Sequence, residues 1–289
     1  MNVPSDLVEL YDEYTHGAMP RREFLTRLAR LAGGTAAAAV FLPLLENRYA
    51  LAETCVAEEN QIAACRERFD GPAGPISCYV ARPTADPGER PAVVVIHENR
   101  GLNPHIEDVA RRLAFAGFLA VAPDALSGAG GTPADEDEAR RLIGELDREQ
   151  ALAIHVEAVR FADSHAHSTG KTGCVGFCWG GGMAGRLAAH SKELDAAVVF
   201  YGMPPWPEET VRIRVPLLLH YAGRDTRINA SVPGFEQGLK DAKVRYELHM
   251  YADVDHAFHN DTNAARYDAA AAKLAWQRTL EFLTRELAA

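Results

Sequence analysis

The hydrophobic pattern divides the chain near residue 52. From Glu53 onward, short apolar runs alternate with amphipathic stretches. Ile76 to Arg82 has period two and predicts a half-buried strand that ends at Pro83. Ala92-Val93-Val94-Val95-Ile96-His97 is a continuous β-branched run, as expected of a strand buried on both faces in a parallel sheet. Pro104 then opens a helix to about Ala116, with Ile106, Val109, Ala110 and Leu113 on one face. Gly117 caps it, and Phe118 to Ala122 is the next buried strand. Two polar helices are predicted across 134–166. Gly173 to Phe177, Ala196 to Tyr201, Val215 to Tyr221 and Arg245 to Tyr251 read as further strands. Helices are predicted after the first of these, near 231–241 and over Arg266–Leu287. This alternation predicts an α/β fold, a doubly wound and mostly parallel sheet flanked by helices, in one domain over 53–289.

Residues 1–52 form a different kind of segment. Arg21-Arg22, followed by Phe24-Leu25, has the form of a twin-arginine export leader. An apolar run from Gly33 to Leu45 follows, and then Ala50-Leu51-Ala52, a small-x-small cleavage site. The run is too short to cross a membrane, which takes about 20 residues, so no stable membrane insertion is expected. A second reading is an amphipathic helix that packs on the domain, because Phe24, Leu25, Leu28 and Leu31 lie at helical spacing. The first reading places the mature protein in the periplasm; the second keeps it in the cytoplasm with its N-terminal helix. Cys55 and Cys65 could pair in the first case and stay reduced in the second.

Length and composition fit this division. The chain has 289 residues, 47% hydrophobic and 24% charged, enough for one α/β domain with a sizeable core and an appendage. A net charge of −10 argues against nucleic acid as a partner and against attraction to anionic membranes. The five cysteines (55, 65, 78, 174 and 178) are odd in number and contain no C-x-x-C, so neither a disulfide framework nor a zinc site is indicated.

Candidate chemistry centres on Gly176-Phe177-Cys178-Trp179-Gly180, the nucleophile-elbow pattern G-x-[nucleophile]-x-G with cysteine in the serine position. Placed between strand and helix, Cys178 meets amide dipoles that favour thiolate. A buried structural cysteine at a strand end is the alternative. In sheets of this kind reactive groups lie on loops at the carboxyl ends of strands, and Glu98, Asp225 and His256 occupy such loops. The order nucleophile, acid, histidine is that of an α/β-hydrolase triad. Cys178 would attack an acyl carbon, His256 would move the proton, and Asp225 would fix the imidazole tautomer. Singly, Asp225 could instead cap the next helix and His256 could be a solvated turn residue. Backbone amides of Trp179 and Asn99 are the expected oxyanion donors. Asp253, Asp255, His256, His259 and Asp261 also cluster, but without an H-E-x-x-H spacing, and no metal or other cofactor is expected.

These residues resemble the dienelactone hydrolase (carboxymethylenebutenolidase-like) family of α/β-hydrolases. The resemblance is carried by His97-Glu98-Asn99-Arg100-Gly101-Leu102, Pro123-Asp124, Gly176-Phe177-Cys178-Trp179-Gly180-Gly181, Gly223-Arg224-Asp225 and Asp255-His256-Ala257-Phe258. It implies an α/β-hydrolase fold and hydrolysis of a small ester or lactone by Cys-His-Asp catalysis through an acyl-thioester. It also implies that Glu98 interacts with the resting cysteine and controls its ionisation. Dienelactone-cleaving members hold the substrate carboxylate with two arginines. Here the corresponding loops read Ala125-Leu126-Ser127-Gly128-Ala129-Gly130 and His259-Asn260-Asp261-Thr262, without arginine. Arg100, Arg224 or Arg227 could supply a cation in their place. A non-catalytic binding protein of the same fold, or a carboxylesterase with an unrelated pocket, are the alternative readings.

Overall fold

The computed structural model describes residues 3–49, 61–85 and 88–288. Its frame is an eight-stranded sheet made of β1 (Ile62–Gly71), β2 (Gly74–Pro83), β3 (Arg90–Ile96), β4 (Leu119–Pro123), β5 (Ser168–Phe177), β6 (Ala196–Phe200), β7 (Leu217–Ala222) and β8 (Tyr246–Tyr251). The spatial order is β1-β2-β4-β3-β5-β6-β7-β8. β1–β2 and β2–β4 are antiparallel, and every other neighbouring pair is parallel. Because Ala92 to Ile96 and Ala196 to Phe200 are buried throughout, helices must cover both faces of the sheet's centre.

Three helices precede the sheet: α1 (Ser5–His16), α2 (Arg21–Leu31) and α3 (Thr35–Leu45). The remaining helices are α4 (Pro104–Phe115), α5 (Glu136–Glu145), α6 (Arg148–Asp163), α7 (Trp179–His190), α8 (Pro207–Thr210), α9 (Thr226–Asn229), α10 (Val232–Asp241) and α11 (Ala269–Glu286). One core layer joins α6, α7 and α10 to the sheet through residues such as Leu152, Val159, Leu187 and Leu239. The opposite layer joins α4 and α11 through Val109, Leu113, Phe282 and Leu283.

The predicted strands and helices of the domain are all present. The final helix begins at Ala269 rather than Arg266, because the Asp268 side chain accepts from Ala271 N and fixes the start there. β1 was not expected from the pattern. It lies at the sheet edge with only Phe69 buried, so its sequence carries little alternation to detect.

The N-terminal segment folds as a small helical unit with its own core, in which Leu7, Tyr11, Tyr14, Phe24, Leu28 and Leu45 are buried. The Tyr14 and Phe24 rings stack at 4.4 Å. Of the four apolar positions noted at helical spacing, Phe24 and Leu28 point inward and Leu25 and Leu31 outward. The Arg21-Arg22 pair begins α2, where Arg21 pairs with Glu46 and with Asp137 of the domain. This is the geometry of the packed-helix reading. Ala50, Leu51 and Ala52, read from the sequence as a cleavage site, and Cys55 lie outside the described residues. Cys65 is a free, exposed thiol. No single helix among the described residues is long and apolar enough to cross a membrane, and α2 and α3 are bent by 117° from one another.

Candidate active site

β5 and α7 meet at Cys178, and the meeting is tight. Cys178 adopts φ 55° and ψ −114°, a conformation costly for any side chain other than glycine's. Its N–H donates to Phe200 O at 3.0 Å, tying the elbow to the neighbouring strand. Glycine is required on both sides. A Cβ at Gly176 would lie 2.0 Å from Gly180 O, and one at Gly180 would lie 2.3 Å from Ile96 O. The strained turn thus lifts Cys178 above the sheet at the first turn of α7, whose N–H groups have no intrahelical acceptors.

The loops after β7 and β8 supply Asp225 and His256. Asp225 Oδ1 accepts from Ile228 N at 3.1 Å and caps α9, while Oδ2 accepts from His256 Nδ1 at 2.5 Å. Capping and orienting are therefore done by the two oxygens of one carboxylate. Burial works against charge on Asp225, yet its bond to His256 and the imidazolium charge hold its carboxyl below the usual range. Burial likewise disfavours the His256 imidazolium, but the Cys178 sulfur and Asp225 outweigh it and raise the ring to about 10. The Nε2 of His256 is buried without a hydrogen-bond partner among the described residues.

A second histidine reaches the same sulfur. His16, the last residue of α1, places Nε2 3.2 Å from Cys178 Sγ. Its Nδ1 donates to the Asp12 main-chain carbonyl at 3.0 Å and lies 3.1 Å from the Asp12 carboxylate. The two imidazole rings meet edge to face at 4.5 Å. One nitrogen of each ring and the Cys178 sulfur lie within 4.8 Å of one another. Burial opposes ionisation of the thiol, but the charges of His16 and then His256 prevail and bring it down to about 6. Nothing in the motif pattern pointed to His16. The available signal was Asp12 and His16 four residues apart on one helix face.

Three parts of the domain hold α1 in this position. Asn99 Nδ2, after β3, donates to Thr15 O at 2.9 Å. From α5, Arg140 donates to Tyr14 O at 2.6 Å and covers the Tyr14 ring at 4.4 Å, while Asp137 accepts from the Tyr14 hydroxyl. In the loop before α11, Arg266 lies over Tyr11 and 3.6 Å from Asp12.

The other expected site residues fall as follows. Asn99 and Trp179 border a cavity of about 550 Å³ above Cys178, with His16 and Met19 on one wall and His256 and Tyr201 on another. A second cavity of about 330 Å³, bordered by Ile143, Met183 and Pro205, also reaches Cys178 and Trp179. The hydrogen bonds of Glu98 run to Tyr201 Oη and Asn260 Nδ2, at 3.4 and 2.7 Å. The partner expected for the resting cysteine is thus turned to the site's wall, and His16 stands beside the sulfur. The acidic–histidine cluster is dispersed: Asp261 pairs with Arg112 and His105, and His259 stacks on Phe177. Of the candidate cations, Arg100 pairs with Glu136 and Arg224 with Asp255. Arg227 borders the larger cavity, together with Arg140 and Arg141.

A sheet of this order, with a strained strand-to-helix turn at Cys178 and an acid and a histidine on later strand ends, has the layout of an α/β-hydrolase. The dienelactone hydrolase family model matches residues 76–287, and a model described as YqhI-like matches residues 2–34. The chain belongs to the dienelactone hydrolase family, a class of enzymes that hydrolyse esters and lactones. It is 33% identical over 225 residues to a Yersinia pestis protein provisionally named carboxymethylenebutenolidase, spanning 73% of this chain and 84% of the relative. A provisionally named dienelactone hydrolase from Klebsiella pneumoniae superposes with a TM-score of 0.72 at 31% identity, covering 78% of this chain and all of that one (100%). A metagenomic dienelactone hydrolase-like promiscuous phosphotriesterase shares the fold, with a TM-score of 0.71 at 23% identity over 78% of this chain and 99% of its own.

Proposed function

We propose that this hydrolase cleaves a small ester or lactone with Cys178 as nucleophile, His256 as proton carrier and Asp225 as the group that orients His256. The observation that carries this reading is the strained Cys178 elbow facing a histidine whose far nitrogen is held at 2.5 Å by a buried carboxylate. Attack of Sγ on the acyl carbon forms the C–S bond and moves the carbonyl electron pair onto oxygen. Amides at Trp179 and Asn99 are the donors suited to that oxyanion. Collapse breaks the C–O bond, and the leaving oxygen takes the Nε2 proton of His256. Water then adds to the thioester while His256 takes its proton, and breaking the C–S bond returns the electron pair to sulfur. The two cavities that border Cys178 offer room for the acyl and alcohol parts of an ester.

Glu98 is assigned a supporting role, holding Tyr201 and Asn260 along the wall rather than acting on sulfur. The N-terminal helices are assigned to the working enzyme as part of its pocket, since Thr15, His16 and Met19 border the larger cavity. The test is Cys178→Ala assayed with p-nitrophenyl acetate. Turnover is expected to fall to the uncatalysed rate, and unchanged turnover in a folded variant would sink the assignment.

A further inference from the structure

We infer that His16 and Asp12 form a second histidine–aspartate pair acting on Cys178, so that the N-terminal helix supplies a catalytic residue to the hydrolase domain. The inference rests on Cys178 being the nucleophile.

Two histidines meet at the sulfur, each with an aspartate behind it. His256 is held by Asp225 at 2.5 Å. Beside it, His16 Nε2 approaches Sγ at 3.2 Å, with Nδ1 held by the Asp12 carbonyl at 3.0 Å and flanked by the Asp12 carboxylate at 3.1 Å. A hydrogen bond from Nδ1 to a carbonyl fixes that nitrogen as a donor, so the approach of Nε2 to sulfur completes an imidazolium–thiolate pair when Nε2 is protonated. His16 is nearly out of solvent, its side chain 11% exposed, so the pair is little screened. The charged and titratable groups around it are Asp12 on α1, Cys178 at the elbow, His256 and Asp225 on the strand-end loops, and Arg266 before α11. Against burial, the bond to His16 and the charges of His256 and His16 hold the Asp12 carboxyl well below its usual range, and Arg266, 3.6 Å away, adds to them.

One proton inventory follows. At rest Cys178 is a thiolate beside two imidazolium rings. His256 gives its proton to the leaving oxygen and recovers one from water. His16 keeps its proton throughout and faces the sulfur both before attack and when the C–S bond breaks. The thiolate is thereby stabilised as nucleophile and as leaving group, and no net proton is consumed beyond the water split between acid and alcohol. This is the role the family resemblance gave to Glu98, moved to another chain segment and reversed in charge: the thiolate is held ready before substrate arrives.

The experiment is iodoacetamide labelling of Cys178 against pH in the full chain, for the wild type, His16→Gln and Asp12→Asn, with kcat/KM profiles and thermal unfolding alongside. Losing one of two positive neighbours should move the labelling midpoint upward and slow labelling at pH 6.5 about 10-fold in His16→Gln, with a smaller shift in Asp12→Asn. The acid limb of kcat/KM should move with it. If either variant unfolds, the other carries the comparison, and Asp12→Glu should restore the wild-type midpoint. A His16→Gln profile that superimposes on the wild type, with activity intact, would overturn the inference while leaving the Cys178 reading in place. Wild-type labelling that changes after treatment with a chelator would also overturn it, because a bound cation would then be setting the sulfur's charge. Full activity in Cys178→Ala would instead remove the reading on which the inference stands.

Discussion

A sulfur nucleophile works only when ionised, and its neighbours decide the pH at which that happens. Cys178 is brought down to about 6 by His16 and His256 against the cost of burial, and His256 is raised to about 10. On the proposed mechanism the active form has the thiol deprotonated and His256 protonated. Activity is therefore expected to rise with pH through about 6, hold a plateau, and fall as pH passes about 10. A kcat/KM profile with an acid limb near pH 8.5, the ordinary thiol range of about 8–9, would contradict this. Gly176 offers a test of the elbow itself: with 2.0 Å between its missing Cβ and Gly180 O, Gly176→Ala should lower stability by more than about 3 kcal/mol, measured by urea unfolding. At this scale the sequence was legible wherever a residue sat inside a motif. Cys178, Asp225 and His256 were read from strand-end position and order. His16 was not, because its partner is 162 positions away and nothing local marks the pairing.

Elements were legible in proportion to their burial. The β-branched runs of β3 and β6 announce themselves because both faces are covered, whereas β1, buried only at Phe69, does not. The N-terminal segment shows the opposite difficulty. A run of small and apolar residues after an arginine pair fits both an export leader and a packed helix, and the pattern alone does not say whether Phe24 and Leu28 find a surface. Here both are fully buried, against Tyr11 and Tyr14. Phe24→Ala should cost about 3–5 kcal/mol of local stability. Hydrogen exchange should show the loss in α1 and α2 while the sheet stays protected, and Cys178 labelling should slow as His16 leaves its place.

The molecule as a whole carries a net charge of −10, yet Arg140, Arg141 and Arg227 border the larger cavity. An acidic protein with a locally basic pocket should favour esters bearing a negative charge. Arg141 is neutralised by Glu138 and Glu145, and Arg140 is engaged with Tyr14 and Asp137, which leaves Arg227 on the rim as the residue to change. Arg227→Gln is expected to raise KM about 3- to 5-fold for an anionic ester and to leave a neutral ester of similar size unchanged, with the difference shrinking in high salt. Equal effects on both esters would assign Arg227 to general stability of the rim.

The contact between His16 and Cys178 also has a meaning in time. α1 precedes the elbow, α5 and the loop before α11 in the chain, so the surfaces it docks on are made after it. Contacts so distant in sequence form late, since the loop they close must be ordered first. During refolding from denaturant, sheet signals should therefore return before rapid alkylation of Cys178 does. On the proposed mechanism, ionisation of Cys178 then waits for the docking of a segment 162 positions before it.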